Sequence, residues 1–243
     1  MGAGPGEGAG RQMPVRPAAA VIFCCQSSPL PVSAADAEHG TEEVKIMGKV
    51  IIGATVSVDG FIADEKDAVG PLFDWYGNGD VAVTMADPDR VFHVTPASAE
   101  YIRSSAGNVR ATVIGRRLFD ITNGWNGVPA AGEHVFVVTH EPPADWEFPD
   151  APFTFVTGGV TRAIEEARAF AGDRDVSVTA GEIGGQALEA GLIDEVHLNV
   201  VPVVFGSGKR YFGSFAGAHQ MLENPKVIEG DRILHLIYAV RKS

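Results

Sequence analysis

The sequence predicts an α/β fold with a mostly parallel central β-sheet and a C-terminal antiparallel hairpin. Short β-branched segments alternate with segments of helical periodicity from residue 49 onward, which is the pattern of parallel strands joined by helices. Near the end of the chain, Gly230-Asp231 separates two strand-like segments, as in a hairpin. No compositional break divides residues 47–243, so we expect a single domain there.

In the first half of this domain, the sequence pattern predicts alternating strands and helices. Residues 49–56 (KVIIGATV) are typical of a buried strand, and residues 57–60 turn the chain after it. Residues 96–105 combine a proline and serine start with helical spacing of apolar residues, which predicts a helix. Residues 110–115 (RATVIG) repeat the buried-strand pattern, and a helix over 116–122 follows directly.

The second half continues the alternation. Further strands are predicted by apolar, β-branched runs at 133–139, 153–157, 176–180 and 193–201. Residues 161–171 place Ala163, Ile164, Ala167 and Phe170 on one face, which predicts an amphipathic helix. A second helix is predicted over 183–192. The hairpin strands are expected at 225–229 and 232–241.

Residues 1–46 differ from the rest of the chain, because they are rich in Gly, Ala and Pro and cannot bury enough apolar surface to order themselves. They contain a short apolar run, 18–25, that follows two arginines and precedes small residues, a layout that resembles a secretory signal. The alternative is an over-extended start, with the native chain beginning at Met47, and we favour it because the apolar run is short. We therefore expect a disordered or non-native extension.

Charge and cysteine content exclude several classes of partner. The chain has 31 acidic and 19 basic residues, a net charge of −12, which disfavours nucleic acid and anionic membrane surfaces. No apolar run approaches the roughly 20 residues that cross a bilayer. Both cysteines, Cys24 and Cys25, lie in the extension, and no Cys/His spacing indicates a metal site. We expect a cytoplasmic protein with a small-molecule partner, without metal, nucleic acid or membrane.

A glycine turn leads directly into the 183–192 helix and is the first candidate ligand site. Residues 180–185 read Ala180, Gly181, Glu182, Ile183, Gly184 and Gly185. A turn that opens into a helix presents unpaired N–H groups and the positive end of the helix dipole, which suits a phosphate. The alternative is a tight connection whose glycines only allow close packing.

Two further strand ends carry residues suited to the same ligand. Gly115 is followed by Arg116 and Arg117, whose guanidinium groups match a pyrophosphate or an adenosine 2′-phosphate; the alternative is that both are solvated. Thr139 and His140 end the next strand. Ligands of open α/β sheets bind outside the carboxyl ends of the strands, so we expect these groups to lie near one another.

Common catalytic motifs of other classes are missing from the sequence. No Gly-x-Gly-x-x-Gly follows the first strand, and there is no Gly-Lys-Ser/Thr phosphate loop, no Gly-x-Ser-x-Gly elbow and no His-Glu-x-x-His helix. Hydrolase and kinase functions are therefore disfavoured.

Several segments carry sequence motifs of one family: 57–63 (SVDGFIA), 113–117 (VIGRR), 180–181 (AG), 189–198 (EAGLIDEVHL) and 202–208 (PVVFGSG). Together they resemble the dihydrofolate reductase-like family. The closest resemblance is to the reductase domain at the C-terminus of the bifunctional riboflavin-biosynthesis deaminase-reductase. It covers about residues 49–241, and the 189–208 block is its most specific part.

The resemblance implies a three-layer α/β/α fold and an NADPH-dependent reductase that forms a homodimer. The family reaction reduces the ribosylamino sugar of 5-amino-6-(5-phosphoribosylamino)uracil to the ribityl form in riboflavin biosynthesis. No His-x-Glu followed by Pro-Cys-x-x-Cys is present, so we expect a stand-alone reductase domain without the deaminase.

The resemblance also implies positions for the cofactor. Residues 115–117 and 139–140 would contact the adenosine phosphate side, and the 180–185 turn would hold the pyrophosphate. The nicotinamide would lie against the first strand near Ala54 and Thr55. In dihydrofolate reductases a carboxylate after the first loop serves the pteridine ring, and Asp74 falls at about that place, with Trp75 and Tyr76 as candidates for stacking on a substrate. The alternative for this aromatic segment is packing on the sheet.

Departures from the family pattern leave substrate and cofactor open. Thr179 stands where riboflavin reductases carry an acidic residue, and Glu141 beside His140 would repel a 2′-phosphate, which keeps NADH or a deazaflavin as alternatives to NADPH. The substrate is either the aminouracil phosphate of the family reaction or another small heterocycle or carbonyl. The alternative function is a non-catalytic domain that binds a nucleotide or a partner on the same fold.

Overall fold

The structure is a computed structural model that describes residues 48–242. The predicted extension over residues 1–46 lies outside the described residues. Within them, no helix is both long enough and apolar enough to span a membrane. The strands are β1 (Val50–Ser57), β2 (Phe61–Ala63), β3 (Val81–Thr84), β4 (Val91–Val94), β5 (Val109–Gly115), β6 (His134–Val138), β7 (Phe153–Val156), β8 (Asp175–Thr179), β9 (Glu195–Val201), β10 (Lys209–Arg210), β11 (Lys226–Gly230) and β12 (Ile233–Ala239). The helices are α1 (Pro96–Ala106), α2 (Arg116–Thr122), α3 (Gly159–Ala171) and α4 (Glu182–Glu189), with 3₁₀ helices at Gly70–Gly77 and Asn123–Gly127.

The main sheet has eight strands in the order β11-β12-β9-β1-β8-β5-β6-β7. All pairings from β9 to β7 are parallel, whereas β12 is antiparallel to both β9 and β11. Strand β1 lies between β8 and β9, so Ile52 pairs with Val178 on one side and Val196 on the other. A mostly parallel sheet with a C-terminal antiparallel hairpin is therefore confirmed.

Helices cover both faces of the sheet because its strands carry apolar side chains on both faces. Val50, Ile52 and Val56 of β1 pack in one core cluster with residues of α3 and α4. On the other face, Ile114 of β5 packs with Phe119 of α2 in a second cluster, and α1 with the 70–77 helix covers β9 and β12 in a third. This confirms the three-layer α/β/α arrangement.

The elements that the sequence analysis missed are short. Strands β2 and β10 pair with each other, and β3 and β4 form a hairpin. Strands β2 and β10 have only three and two residues, which are too few to show a periodicity. Helix α4 is also shorter than predicted, because the chain leaves the helix at Ala190 and Gly191 has a φ of +69°.

Candidate active site

A cavity of about 700 Å³ opens at the carboxyl ends of the central strands β1, β5 and β8. Its size is in the range of small-molecule sites, roughly 300–1,000 Å³. The floor is formed by residues 53–55 of β1, Gly115 at the end of β5 and Thr179 at the end of β8. Many of the residues predicted to bind the cofactor line it together: Ala54, Thr55, Gly115, Arg117, Ala180, Gly181, Glu182 and Ile183. Two of the three strand ends that were grouped from the sequence, those at Gly115 and Ala180, thus meet at one cavity.

The turn before α4 requires glycine at position 181. Gly181 has φ of 92° and ψ of −150°, a conformation that essentially only glycine adopts, and its N–H donates to the carbonyl of Tyr211 at 2.7 Å. The N–H groups of Glu182 and Ile183 then open the helix and have no intrahelical acceptor. The Glu182 carboxylate accepts a hydrogen bond from the Ser214 hydroxyl at 2.6 Å.

Gly184 and Gly185 were also predicted to bind the cofactor, but the structure places them in packing positions. Both are buried and neither lines the cavity. A Cβ at Gly184 would lie 2.9 Å from the carbonyl oxygen of Thr179, and one at Gly185 would lie 2.2 Å from that of Phe212. The alternative raised for these glycines, close packing of the helix on its neighbours, therefore accounts for them.

The two arginines of α2 point to different places. Arg116 pairs with Asp120 at 2.7 Å and donates to the carbonyl of Glu141 at 2.6 Å, so it ties α2 to the segment after β6. The Thr139 hydroxyl donates to the same carbonyl at 2.7 Å, and His140 is exposed. Arg116, Thr139 and His140 do not line the cavity. Successive helical residues diverge by about 100°, so only Arg117 reaches it.

Arg117 reaches across the cavity to Asp67. Its Nε donates to Oδ1 of Asp67 at 2.9 Å, and its Nη2 contacts Oδ2. The hydrogen bond from Arg117 holds the pKa of the Asp67 carboxyl below its usual value, and the carboxylate in turn raises the pKa of Arg117. Lys209 and Arg210 of β10 also line the cavity, so its rim carries several cations.

The predicted catalytic and substrate-binding residues lie outside the cavity. Asp74 is exposed and does not line it. Trp75 and Tyr76 are only 2% and 7% exposed, stack on each other with ring centroids 4.1 Å apart, and belong to the core beneath α1. The packing alternative therefore describes these two rings. Their neighbour Phe73 faces the cavity instead, which helical spacing alone did not reveal.

Other lining residues were missed by the sequence analysis because they are scattered over β2, α2, the 70–77 helix and several loops and share no motif. They are Ile62, Ala63, Asp67, Val69, Phe73, Leu118, Ile121, Gly208, Gly213, Ser214 and Phe215. Among residues 48–242, no group of three or more His, Cys, Asp or Glu side chains is arranged to hold a metal ion.

Asp59 joins two loops close to the cavity in sequence, the turn after β1 and the loop before β10. Its carboxylate accepts a hydrogen bond from the Ser57 hydroxyl at 2.7 Å and from the N–H groups of Phe205 and Gly206 at 3.1 and 2.7 Å. The turn after β1 is thereby joined to the loop before β10. The hydrogen bond from Ser57, followed by those from the backbone, lowers the pKa of Asp59 to about 2.

We expect Asp59→Asn to lower the free energy of unfolding at neutral pH. The folded-state pKa of about 2 lies below 3.8, the ordinary pKa of an aspartate side chain, so the stabilisation by the Asp59 carboxylate is present above pH 3.8 and is lost as the pH falls toward 2. Urea unfolding of wild type and variant between pH 7 and pH 2 measures it. The difference between the two proteins should be constant above about pH 5 and shrink below it; a difference independent of pH would contradict the role of the carboxylate.

Comparison with known proteins agrees with these features. The family model described as the RibD C-terminal domain matches residues 48–225. A protein from Shewanella sp. PV-4 provisionally assigned to riboflavin biosynthesis has a similar structure, with a TM-score of 0.61 and 18% identity over 80% of this chain and 99% of that one. A pyrimidine reductase-like protein from Corynebacterium diphtheriae gives a TM-score of 0.51 at 15% identity, over 82% of this chain and 94% of that one.

A longer protein shares the fold as well. It is the diaminohydroxyphosphoribosylaminopyrimidine deaminase/5-amino-6-(5-phosphoribosylamino)uracil reductase of Thermotoga maritima, with a TM-score of 0.54 and 12% identity over 80% of this chain. This chain spans 57% of its length. No curated protein sequence matched. The family model covers most of the chain, and the chain therefore belongs to the RibD C-terminal domain family.

Proposed function

We propose that this chain is an NADPH-dependent reductase of the riboflavin-reductase type. The observation that carries the proposal is the cavity at the carboxyl ends of β1, β5 and β8, which brings a glycine turn, a helix start and Arg117 to one place. This is where open α/β sheets bind nucleotides. Membership of the RibD C-terminal domain family supports an oxidoreductase rather than another use of the fold.

The residues of the cavity fit a nicotinamide dinucleotide. Because Gly181 has no side chain, a pyrophosphate could come close to the backbone of this turn, next to the N–H groups that open α4. Arg117 would pair with a phosphate, and Ala54 and Thr55 would form a flat surface for the nicotinamide ring. A reduced nicotinamide supplies a hydride to the substrate. Phe73, Ile121 and Phe215 would exclude water from the reacting groups.

For the substrate, we propose a small heterocycle or carbonyl compound, with the phosphoribosylamino-uracil of the riboflavin pathway as the leading candidate. The name of the Thermotoga maritima relative supports this choice. Lys209 and Arg210 of β10, which also line the cavity, would attract a phosphorylated substrate. We assign no proton transfer to Asp74, because its side chain is exposed outside the cavity.

We further propose that the protein is a cytoplasmic homodimer. The hairpin β11–β12 forms one edge of the sheet and exposes apolar side chains there, with Val227 56% exposed, which supports contact with a second copy. Light scattering of the purified protein measures the mass in solution, and a monomer at micromolar concentration would contradict this part of the proposal.

Titration with NADPH, NADH and a deazaflavin, followed by tryptophan fluorescence, tests the cofactor. We expect saturable binding of NADPH at micromolar to millimolar concentration, the usual range for such ligands, and tighter binding than of NADH. Absence of binding by all three would overturn the reductase proposal. Binding of NADPH without turnover of the aminouracil or of small carbonyl compounds would instead favour the non-catalytic nucleotide-binding function.

A further inference from the structure

The ion pair between Asp67 and Arg117 lies at the cavity and joins two elements that are distant in sequence. Asp67 belongs to the loop after β2, and Arg117 belongs to the first turn of α2. Both residues line the cavity, and both nitrogen–oxygen contacts of the guanidinium go to the same carboxylate. A guanidinium binds a carboxylate and a phosphate with the same two-pronged geometry, so Asp67 occupies the Nε–Nη2 edge, one of the two edges at which a phosphate would bind.

The loop that carries Asp67 is held in shape by its own hydrogen bonds. Oδ1 of Asp64 accepts from the N–H of Lys66 at 2.7 Å and from that of Ala68 at 2.9 Å. The N–H of Asp64 also donates to the carbonyl of Ala68 at 2.9 Å. Asp67 has a φ of +66°, in the left-handed region that Asp and Asn tolerate better than most residues. The carboxylate is thus presented to Arg117 from a closed turn.

The side chains of Arg117 and Asp67 differ in solvent exposure, and this difference decides which of the two a ligand can reach. The Arg117 side chain is 67% exposed, whereas that of Asp67 is 18% exposed. A dissolved phosphate can therefore approach the guanidinium directly. It would meet a carboxylate already bound there, and two anions cannot share the same donors without repulsion. A ligand without a phosphate at this position meets no such competition.

We propose that Asp67 determines specificity by competing with a phosphate monoester of the ligand for Arg117. The inference rests on the proposed function, because it concerns the same cavity. A dinucleotide without a 2′-phosphate leaves the ion pair intact, whereas a phosphorylated ligand displaces the carboxylate. Because the Asp67 carboxylate competes for Arg117, the protein favours the phosphorylated ligand over the unphosphorylated one by a smaller ratio of affinities than Arg117 alone would give. The phosphate belongs either to the cofactor (the 2′-phosphate) or to a phosphorylated substrate.

Binding constants of Asp67→Asn measured by calorimetry test the proposal. Asparagine keeps the size and the left-handed backbone preference but removes the charge. We expect the variant to bind NADPH about tenfold more tightly than wild type, the effect of losing one charged competitor, with NADH unchanged within about twofold. Asp80→Asn is the matched control: it makes the same substitution at an exposed carboxylate that does not line the cavity, and it should change neither constant.

Arg117→Gln completes the design. In the double variant Asp67→Asn/Arg117→Gln, the tighter NADPH binding expected for Asp67→Asn alone should vanish, because the proposed competition needs the guanidinium. Ribose 5-phosphate is titrated in parallel: if only its binding tightens in Asp67→Asn, the competing phosphate is that of the substrate and the proposal stands for that source. If both dinucleotides bind but Asp67→Asn tightens the binding of neither NADPH nor ribose 5-phosphate, the competition is overturned while the reductase proposal survives. If no probe binds to any variant, both are overturned.

Discussion

Replacing Gly181 with alanine is expected to weaken NADPH binding about tenfold or more while the protein remains folded. The backbone at this position has φ of 92° and ψ of −150°, where a side chain costs of the order of 1–3 kcal/mol. The turn would relax by moving the N–H groups that open α4. Because those groups are the proposed pyrophosphate site, a relaxed turn loses its hydrogen bonds to the ligand. Calorimetric titration with NADPH measures the effect.

Gly191→Ala is the control for this experiment. Gly191 also has a positive φ, +69°, and a Cβ there would meet no atom within 4 Å, so the substitution introduces backbone strain away from the cavity. We expect a loss of stability of about 1–2 kcal/mol and unchanged NADPH binding. Equal weakening of binding by both substitutions would show that general destabilisation is the cause. Unchanged binding in Gly181→Ala would remove the turn from the cofactor site.

Trp75→Ala is expected to have the largest effect on stability, a loss of about 3–5 kcal/mol. Trp75 is 2% exposed, stacks on Tyr76 and contacts the ring of His235 edge-on at 5.3 Å, so the substitution leaves a large hole between α1, β12 and the 70–77 helix. Urea unfolding monitored by circular dichroism measures the loss. The outcome also distinguishes the packing role from the stacking role that the sequence analysis considered.

Phe73→Ala in the same 3₁₀ helix provides the contrast. Phe73 is half-buried and lines the cavity, so its removal should cost less stability than that of Trp75 but should weaken ligand binding. A Trp75→Ala protein of wild-type stability with impaired substrate binding would reverse this assignment and restore the stacking role.

The long strands of the fold were predictable because a strand that is buried on both faces has a continuous run of β-branched residues. The segments that became β1, β5 and β8 show it clearly, and their carboxyl ends form the cavity as expected for an open α/β sheet. The long helices were predictable from the helical spacing of their apolar residues. The hairpin β11–β12 was predictable from Gly230-Asp231 alone. In contrast, β2 and β10 were not predictable, because these two short segments are distant in sequence and form strands only by pairing with each other.

Side-chain direction within the site was not predictable from spacing. Gly115, Arg116 and Arg117 were grouped as one site, yet Arg116 turns toward Glu141 and only Arg117 enters the cavity. The partner of Arg117, Asp67, lies in a loop whose position depends on β2, so no local pattern could pair the two residues. The 70–77 segment was recognised as aromatic, but which ring faces the core depends on α1 and β12.

The central position of β1 has a consequence for how the molecule folds. Its neighbours β8 and β9 are among the later strands along the chain, so the first strand synthesised must wait for them before its edges are paired. Such distant pairings make folding slow, because the chain pays for closing a long loop before the contacts form. During that interval the apolar side chains of Val50 and Ile52 lack their native neighbours, and transiently exposed apolar surface of this kind favours aggregation. The cavity is lined by residues of β1, β5 and β8 and by residues of the segment after β9, so ligand binding reports that these distant parts of the chain have come together.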